Sequence, residues 1–287
     1  MHVPVLKKEV LEYLDPKANE NFVDCTIGEA GHAKEILERI KPNGKVLGID
    51  ADIKMIEKIS KQDRLILVCD NYSNLKDIVE KRDFYPINGI LIDLGMSSWH
   101  VDDSKKGFSF LKDEPLDMRY GSNNLTAEMI VNEYSKEELE NIFKNYGEER
   151  YAERIAENIS LKRKLRPIKT TFDLVEIIKQ SIPSKFQRAR INPATRVFQA
   201  IRIAVNDELN SIEKALPIAI EVLAKDGRLA VISFHSLEDR IVKNCFKEQS
   251  GLKKIEILTK KPITPSEEEI RANPRSRSAK LRVIEKI

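Results

Sequence analysis

The sequence predicts an α/β fold, a mostly parallel sheet of Rossmann-like type covered by helices and interrupted by a helical insertion. Three observations carry that prediction. Short, almost wholly apolar β-rich runs alternate with amphipathic stretches in the N-terminal part of the chain. From Ser104 to Asn192 the alternation gives way to polar sequence patterned as short helices, and after Asn192 it resumes. Strand–helix alternation implies parallel strands joined by covering helices.

Strands are expected at Asn21–Cys25 (NFVDC), Lys45–Asp50 (KVLGID), Leu65–Cys69 (LILVC) and Gly89–Leu94 (GILIDL), each as apolar as a strand buried on both faces should be. His32–Ile40 and Ile53–Ser60 carry apolar residues three and four apart and read as helices. Within the insertion, Thr126–Asn132, Ser135–Tyr146, Glu149–Leu161 and Thr171–Ser181 have helical periodicity. Ser135 with Glu138 and Thr170 with Asp173 form capping boxes, and Pro167, Pro183 and Pro193 punctuate the stretch. The expected organisation is therefore a core of residues 1–103 and 193–287 with a helical domain at 104–192. Thr195–Leu223 reads as one or two helices broken or kinked near Pro217. A turn at Asp226–Gly227, a strand at Arg228–Ser233, a helix near Leu237–Phe246 and a last strand at Ala279–Ile287 complete the chain.

With 41% hydrophobic and 33% charged residues, the 287-residue chain has the composition of a folded domain rather than a disordered one. No apolar run approaches the ~18 residues of a membrane span, and the N-terminal MHVPVLKKEVLEYL lacks the unbroken apolar stretch of a signal peptide. A cytosolic protein with no membrane partner is expected. Cys25, Cys69 and Cys245 lie far apart and the four histidines lack metal-binding spacing, so neither a disulfide framework nor a metal site is expected. The net charge of +3 announces no partner, but its distribution does. Lys162, Arg163, Lys164, Arg166 and Lys169 form one run without acids; Lys185, Arg188, Arg190, Arg196 and Arg202 form a second; Arg271, Arg275, Arg277, Lys280 and Arg282 form a third. One such run is usually a solvated face. Three shift the reading towards a phosphate-binding surface.

Asp24–His32 (DCTIGEAGH) stands at the junction of the first strand and first helix, where Gly28 and Gly31 would let a ligand approach the backbone. Asp50 ends the second strand, where an acid accepts hydrogen bonds from ribose hydroxyls; the competing role is a helix N-cap. Asp70 and Tyr72 follow the third strand and Asp93 the fourth, so these polar groups converge outside the carboxyl ends of the sheet. Thr26 replaces the first glycine of the dinucleotide fingerprint. S-adenosylmethionine, which has a ribose but no phosphate, suits that departure better than a nicotinamide dinucleotide. An oxidoreductase and a non-catalytic RNA-binding factor remain the alternatives. A serine hydrolase is set aside, because Ser97, Ser98 and Ser233 lie in no G-x-S-x-G elbow.

The chain closely resembles the MraW (RsmH) family of bacterial small-subunit ribosomal RNA methyltransferases. The resemblance rests on HVPVL at His2–Leu6, AGH at Ala30–His32, ILIDLGMSS at Ile90–Ser98, GFSF at Gly107–Phe110, PLDMR at Pro115–Arg119 and YGEER at Tyr146–Arg150. It continues through NPATRVFQAIRIAVNDEL at Asn192–Leu209, GRLAVISFHSLEDRIVK at Gly227–Lys243 and NPRSRSAKLR at Asn273–Arg282. It implies a class I methyltransferase core with an inserted helical RNA-recognition domain, acting as monomer or homodimer on the N4 amine of a cytidine in ribosomal RNA of the small subunit. It implies S-adenosyl-L-methionine as cofactor, contacted at Ala30, Gly31, His32, Asp50, Tyr72, Asp93 and His100. Ala30 stands where many members have glycine, and His100 where glutamine is common.

Two residues are the expected catalytic groups. Asp93, beside the cofactor, would accept from the exocyclic amine and draw its lone pair out of the ring; its competing role is cofactor binding alone. His235, after the next strand, would face the base; its competing role is to stabilise a loop. Trp99, Phe108 and Phe110 would stack on a flipped base, against a competing role in packing.

Overall fold

Alternate residues along each strand belong to different apolar cores, and this decides the layering. In the computed structural model, which describes residues 4–183 and 192–287, Val23, Leu47, Ile49, Ile90, Ile92, Leu229, Val231 and Ile284 join one buried cluster. Their neighbours Phe22, Val46, Leu91, Ala230, Ile232, Leu281 and Val283 join another. A strand turns successive side chains to opposite faces, so the sheet is buried on both sides.

The strands are β1 (Phe22–Asp24), β2 (Val46–Asp50), β3 (Leu65–Cys69), β4 (Gly89–Asp93), β5 (Arg228–Ser233), β6 (Ile255–Ile257) and β7 (Lys280–Lys286), in the order β3-β2-β1-β4-β5-β7-β6. β1 pairs in parallel with β2 and β4, β2 with β3, and β4 with β5. β7 is antiparallel to both β5 and β6. After β3 the chain returns to the far side of β1, so strand order reverses between β1 and β4. Open α/β sheets bind their ligands at such a switch point.

The chain divides into two units: a sheet unit, Met1–Gly95 with Leu209–Ile287, and a helical unit, Met96–Glu208. Helices α1 (Lys7–Leu14), α2 (Gly31–Arg39), α3 (Ile53–Lys58) and α4 (Leu75–Lys81) belong to the first. The second holds α5 (Ser98–Asp102), α6 (Ala127–Glu133), α7 (Lys136–Asn145), α8 (Ala152–Lys162), α9 (Thr171–Ser181) and α10 (Ala194–Asn206). α11 (Glu208–Val222), α12 (Ser236–Gly251) and α13 (Glu267–Ala272) follow. The helical unit is wider than residues 104–192. α10 gives Val197, Phe198, Ala200, Ile201 and Val205 to a core shared with Phe143, Ile155, Ile159 and Leu174.

Both expected capping boxes form, Ser135 with Glu138 on α7 and Thr170 with Asp173 on α9. The break expected near Pro217 falls at Asp207 instead, whose φ of 49° ends α10 in a left-handed conformation that aspartate tolerates. Pro217 stays inside α11, where burial of Ile212, Leu216, Ala219 and Ile220 on the sheet outweighs the lost backbone bond. No helix among the described residues is long and apolar enough to cross a membrane.

Candidate cofactor site

Three carboxylates end three adjacent strands: Asp50 on β2, Asp24 on β1 and Asp93 on β4. Asp50 Oδ2 accepts from Gly28 N–H at 3.0 Å and Oδ1 from Asp52 N–H at 2.9 Å. It therefore ties the β1–α2 loop to the end of β2. The helix-capping role weighed for Asp50 belongs to Asp52, which accepts from Lys54 N–H and starts α3.

Thr26, which replaces the fingerprint glycine, has a specific task. Its Oγ1 accepts from Asp93 N–H at 2.7 Å, bridging β1 and β4 across the switch point. Asp93 Oδ1 then accepts from Gly95 N–H at 3.0 Å, which orients the carboxylate in the turn after β4. Gly28 has φ +50°, a backbone state that suits glycine, with open space where a side chain would be. Ala30, at φ 62°, precedes α2 without side-chain capping. Gly31 has a reason in packing, since a Cβ there would meet Pro4 Cγ at 2.5 Å.

His32, in the first turn of α2, is 7% exposed, and neither Nδ1 nor Nε2 has a hydrogen-bond partner. Its Nε2 lies 3.7 Å from Asp93 Oδ2, too far for a hydrogen bond. Leaving a buried polar atom unpaired costs about 1–3 kcal/mol. An imidazole kept in this state beside three acids and an uncapped helix start fits a polar, ribose-bearing ligand that completes its bonding. Tyr72 opens the 3₁₀ turn Tyr72–Asn74 after β3, with Asp70 Oδ1 accepting from Asn71 N–H and Asn74 Nδ2 just before it.

Asp24 is the group that sequence reasoning passed over, treating it only as the start of the DCTIGEAGH loop. It is 2% exposed, and its Oδ1 accepts from Thr26 N–H at 3.2 Å. Burial pushes its carboxyl up to about 7; His32 and the Thr26 N–H oppose the rise, and Asp93 and Asp50 add to it. The available signal was an acid inside an otherwise apolar strand.

The structure thus gathers Ala30, Gly31, His32, Asp50 and Asp93 around the ends of β1, β2 and β4. His235 also follows a strand end, since Ile232 of β5 pairs with Asp93. It is the N-cap of α12: Nδ1 accepts from Glu238 N–H at 3.4 Å, and Glu238 Oε2 accepts from His235 N–H at 3.1 Å. His100 lies in the helical unit, with Nδ1 2.8 Å from Ser97 Oγ and edge contacts to Trp99, Phe108 and Tyr120. Phe108 is buried and stacks on Tyr120, and Phe110 packs edge-on against Phe198. For these two phenylalanines the packing role prevails over the stacking expected on a flipped base.

Comparison with known proteins bears on this crevice. A family model described as the MraW methylase family matches residues 1–287. The chain belongs to that family. Curated relatives called ribosomal RNA small subunit methyltransferase H include one from Clostridium botulinum (strain Loch Maree), 47% identical and covering 100% of this chain and 99% of its own. Another, from Halothermothrix orenii, is 46% identical over 100% and 98%. Among solved structures, SMU.1697c from Streptococcus mutans is 13% identical, covers 100% of both chains and has a TM-score of 0.46.

Several MraW motifs outside the crevice hold the helical unit together. Asn206 Oδ1 accepts from Tyr120 N–H at 2.9 Å and its Nδ2 donates to Met118 O at 2.7 Å, fastening PLDMR to α10. Asp117 accepts from Arg119 Nε and Nη2, and Glu114 Oε2 accepts from Gly107 N–H at 3.0 Å. The basic runs also divide. Arg163 donates to Val131 O, Arg166 pairs with Asp173 at 2.9 Å, and Arg202 makes a two-pronged bond to Glu208. Arg282 and Lys280 both hold Asp239. Those cations are partners in the fold; Lys162, Lys164, Lys169 and Arg277 have exposed side chains. Lys185, Arg188, Arg190 and His2 lie outside the described residues.

Proposed function

We propose that this protein transfers the methyl group of S-adenosyl-L-methionine to the exocyclic N4 amine of a cytidine in small-subunit ribosomal RNA, within the assembled subunit and in the cytosol. The observation that carries this reading is the set of three strand-end carboxylates around a buried, unpartnered His32. The names of the curated relatives and their full-length coverage support the ribosomal substrate.

The cofactor's sulfonium supplies an electrophilic methyl group. Asp50 accepts from the ribose hydroxyls while its N–H bonds to Gly28 and Asp52 fix its orientation. The uncapped start of α2, Ala30 to His32, offers N–H and imidazole groups to the cofactor's polar end, and Tyr72 bounds the site beside β3. Asp93 accepts an N–H of the amine and localises its lone pair on nitrogen, which the aromatic ring otherwise withdraws. His235 has its Nδ1 engaged in capping and its buried Nε2 3.0 Å from Glu238 Oε1, so facing the base requires that nitrogen to leave Glu238. Holding amine and methyl in line lowers the barrier by several kcal/mol, on the order of the 7–11 kcal/mol that orientation supplies in favourable systems.

The helical unit serves RNA recognition. Its exposed Lys162, with Leu165, Pro167, Ile168 and the paired Arg166 and Asp173, borders a hollow of about 240 Å³ between the end of α8 and the start of α9. Exposed Phe172 lies at that start. Cations provide phosphate attraction, and apolar side chains suit an unstacked base. His100 is set in the aromatic cluster of this unit, against Trp99, Phe108 and Tyr120.

The test offers labelled S-adenosylmethionine to small subunits lacking their methylations and maps the labelled nucleotide. Label on N4 of one cytidine is expected. Label on another atom or on protein alone refutes the substrate, while the crevice is tested by cofactor binding.

A further inference from the structure

We propose that Asp24 reads the charge of the cofactor: below neutral pH it carries a proton in the empty crevice, ionises when the sulfonium-bearing S-adenosylmethionine is bound, and regains its proton once the methyl group has left. This inference rests on the strand-end crevice being the S-adenosylmethionine site.

The position of Asp24 is the ground for it. β1 lies between β2 and β4, so Asp24 ends the middle one of three adjacent strands that each finish on an acid. In register Asp24 stands opposite Gly48 of β2 and Leu91 of β4, two positions before Asp50 and Asp93, and the charges of Asp50, Asp93 and His32 all act on it. It is the most buried of the three acids, at 2% exposure. His32, the one group of opposite charge type among these neighbours, makes no hydrogen bond or ion pair to it, and both its ring nitrogens are unpartnered. A buried carboxyl with neighbouring acids and no cation paired to it resists ionisation. Burial accordingly pushes the Asp24 carboxyl up to about 7, with Asp93 and Asp50 adding to the rise against His32 and the Thr26 N–H.

S-adenosylmethionine and its product S-adenosylhomocysteine differ by a methyl group and one positive charge. A cation near a carboxylate favours its ionised form, so on cofactor binding Asp24 gives its proton to solvent. In the transfer the carbon–sulfur bond breaks with its electron pair left on sulfur, the nitrogen–carbon bond forms, and the amine loses a proton through its acceptor to solvent. The sulfur is then uncharged. Asp24 takes one proton from solvent, which balances the one released on binding. The sign follows: below the carboxyl's own value, protons compete with the cation, so S-adenosylmethionine affinity rises with pH and levels off above about 7. Product affinity has no such rise.

The experiment is calorimetric titration of the whole protein with S-adenosylmethionine and with S-adenosylhomocysteine between about pH 5.5 and 8.5, in two buffers of different ionisation enthalpy. Release of about one proton per S-adenosylmethionine is expected at the acid end, with affinity climbing up to about tenfold per pH unit there. S-adenosylhomocysteine should release none. Asp24→Asn should abolish both the proton release and the slope, and narrow the affinity gap between the two ligands. If S-adenosylmethionine binds with no more proton release and no steeper pH slope than the product, the inference falls and the crevice stands. Should neither ligand bind, the crevice reading itself fails. The proton count on the unmodified protein decides the matter even if Asp24→Asn does not fold.

Discussion

The two units treat their buried polar groups differently. In the helical unit, Glu114 accepts from Gly107 N–H, Glu149 from Tyr151 N–H, and Ser181 Oγ both donates to Ile177 O and accepts from Asn158. Only Ser160 Oγ lacks a partner there among the described residues. At the strand ends of the sheet unit, His32 is as deeply buried yet has no hydrogen bond, and Asp24 is held up in pKa by burial among other acids. Burial alone therefore does not distinguish a folding group from a ligand group. Internal satisfaction does: a polar residue that serves the fold finds its partner within the chain, and one that serves a ligand is left incomplete at a cost.

That contrast can be broken most forcefully at Asp93. Asp93→Asn preserves shape and removes charge, and the single-turnover rate at saturating cofactor should fall by about a hundredfold or more. If binding weakens and the rate does not, Asp93 is a cofactor ligand only. Asp50→Ala should weaken S-adenosylmethionine binding by roughly ten- to a hundredfold, as two charge-assisted bonds are lost. The circular dichroism spectrum should be preserved. Unchanged cofactor affinity would show that Asp50 only ties loops together. Glu114→Ala should do the reverse, costing about 2 kcal/mol of stability by orphaning the Gly107 N–H. Chemical denaturation measures that loss, and cofactor affinity should be untouched. A binding defect in Glu114→Ala would erase the distinction between the two units.

How much could be read from sequence follows from the range of the forces involved. β2, β4 and β5 end within a residue of their expected limits, because strands buried on both faces are continuous apolar runs with little ambiguity, and β3 matches too although it is a half-buried edge strand. The three-residue edge strand β6 and the short α13 carry too little pattern to be seen. Asp50 and Asp93 were visible as acids closing apolar runs. Asp24 closes one too, but its distinction comes from the strands on either side, which are distant in sequence. The basic runs misled for the same reason: Arg163, Arg202 and Arg282 look unopposed along the chain, and their partners Val131 O, Glu208 and Asp239 lie outside the runs.

The parallel pairing of β4 with β5, from Gly89 opposite Arg228 to Asp93 opposite Ile232, encloses the whole helical unit within a single connection. Closing a loop of unstructured chain costs entropy that grows as the logarithm of its length, about 0.6 kcal/mol for each doubling. The helical unit has two capping boxes and a core of its own. Once it is folded, β5 is delivered by a compact body rather than by a long random coil. The β4–β5 pairing beside the crevice thus closes across a folded body, whose length in residues no longer sets the entropy cost.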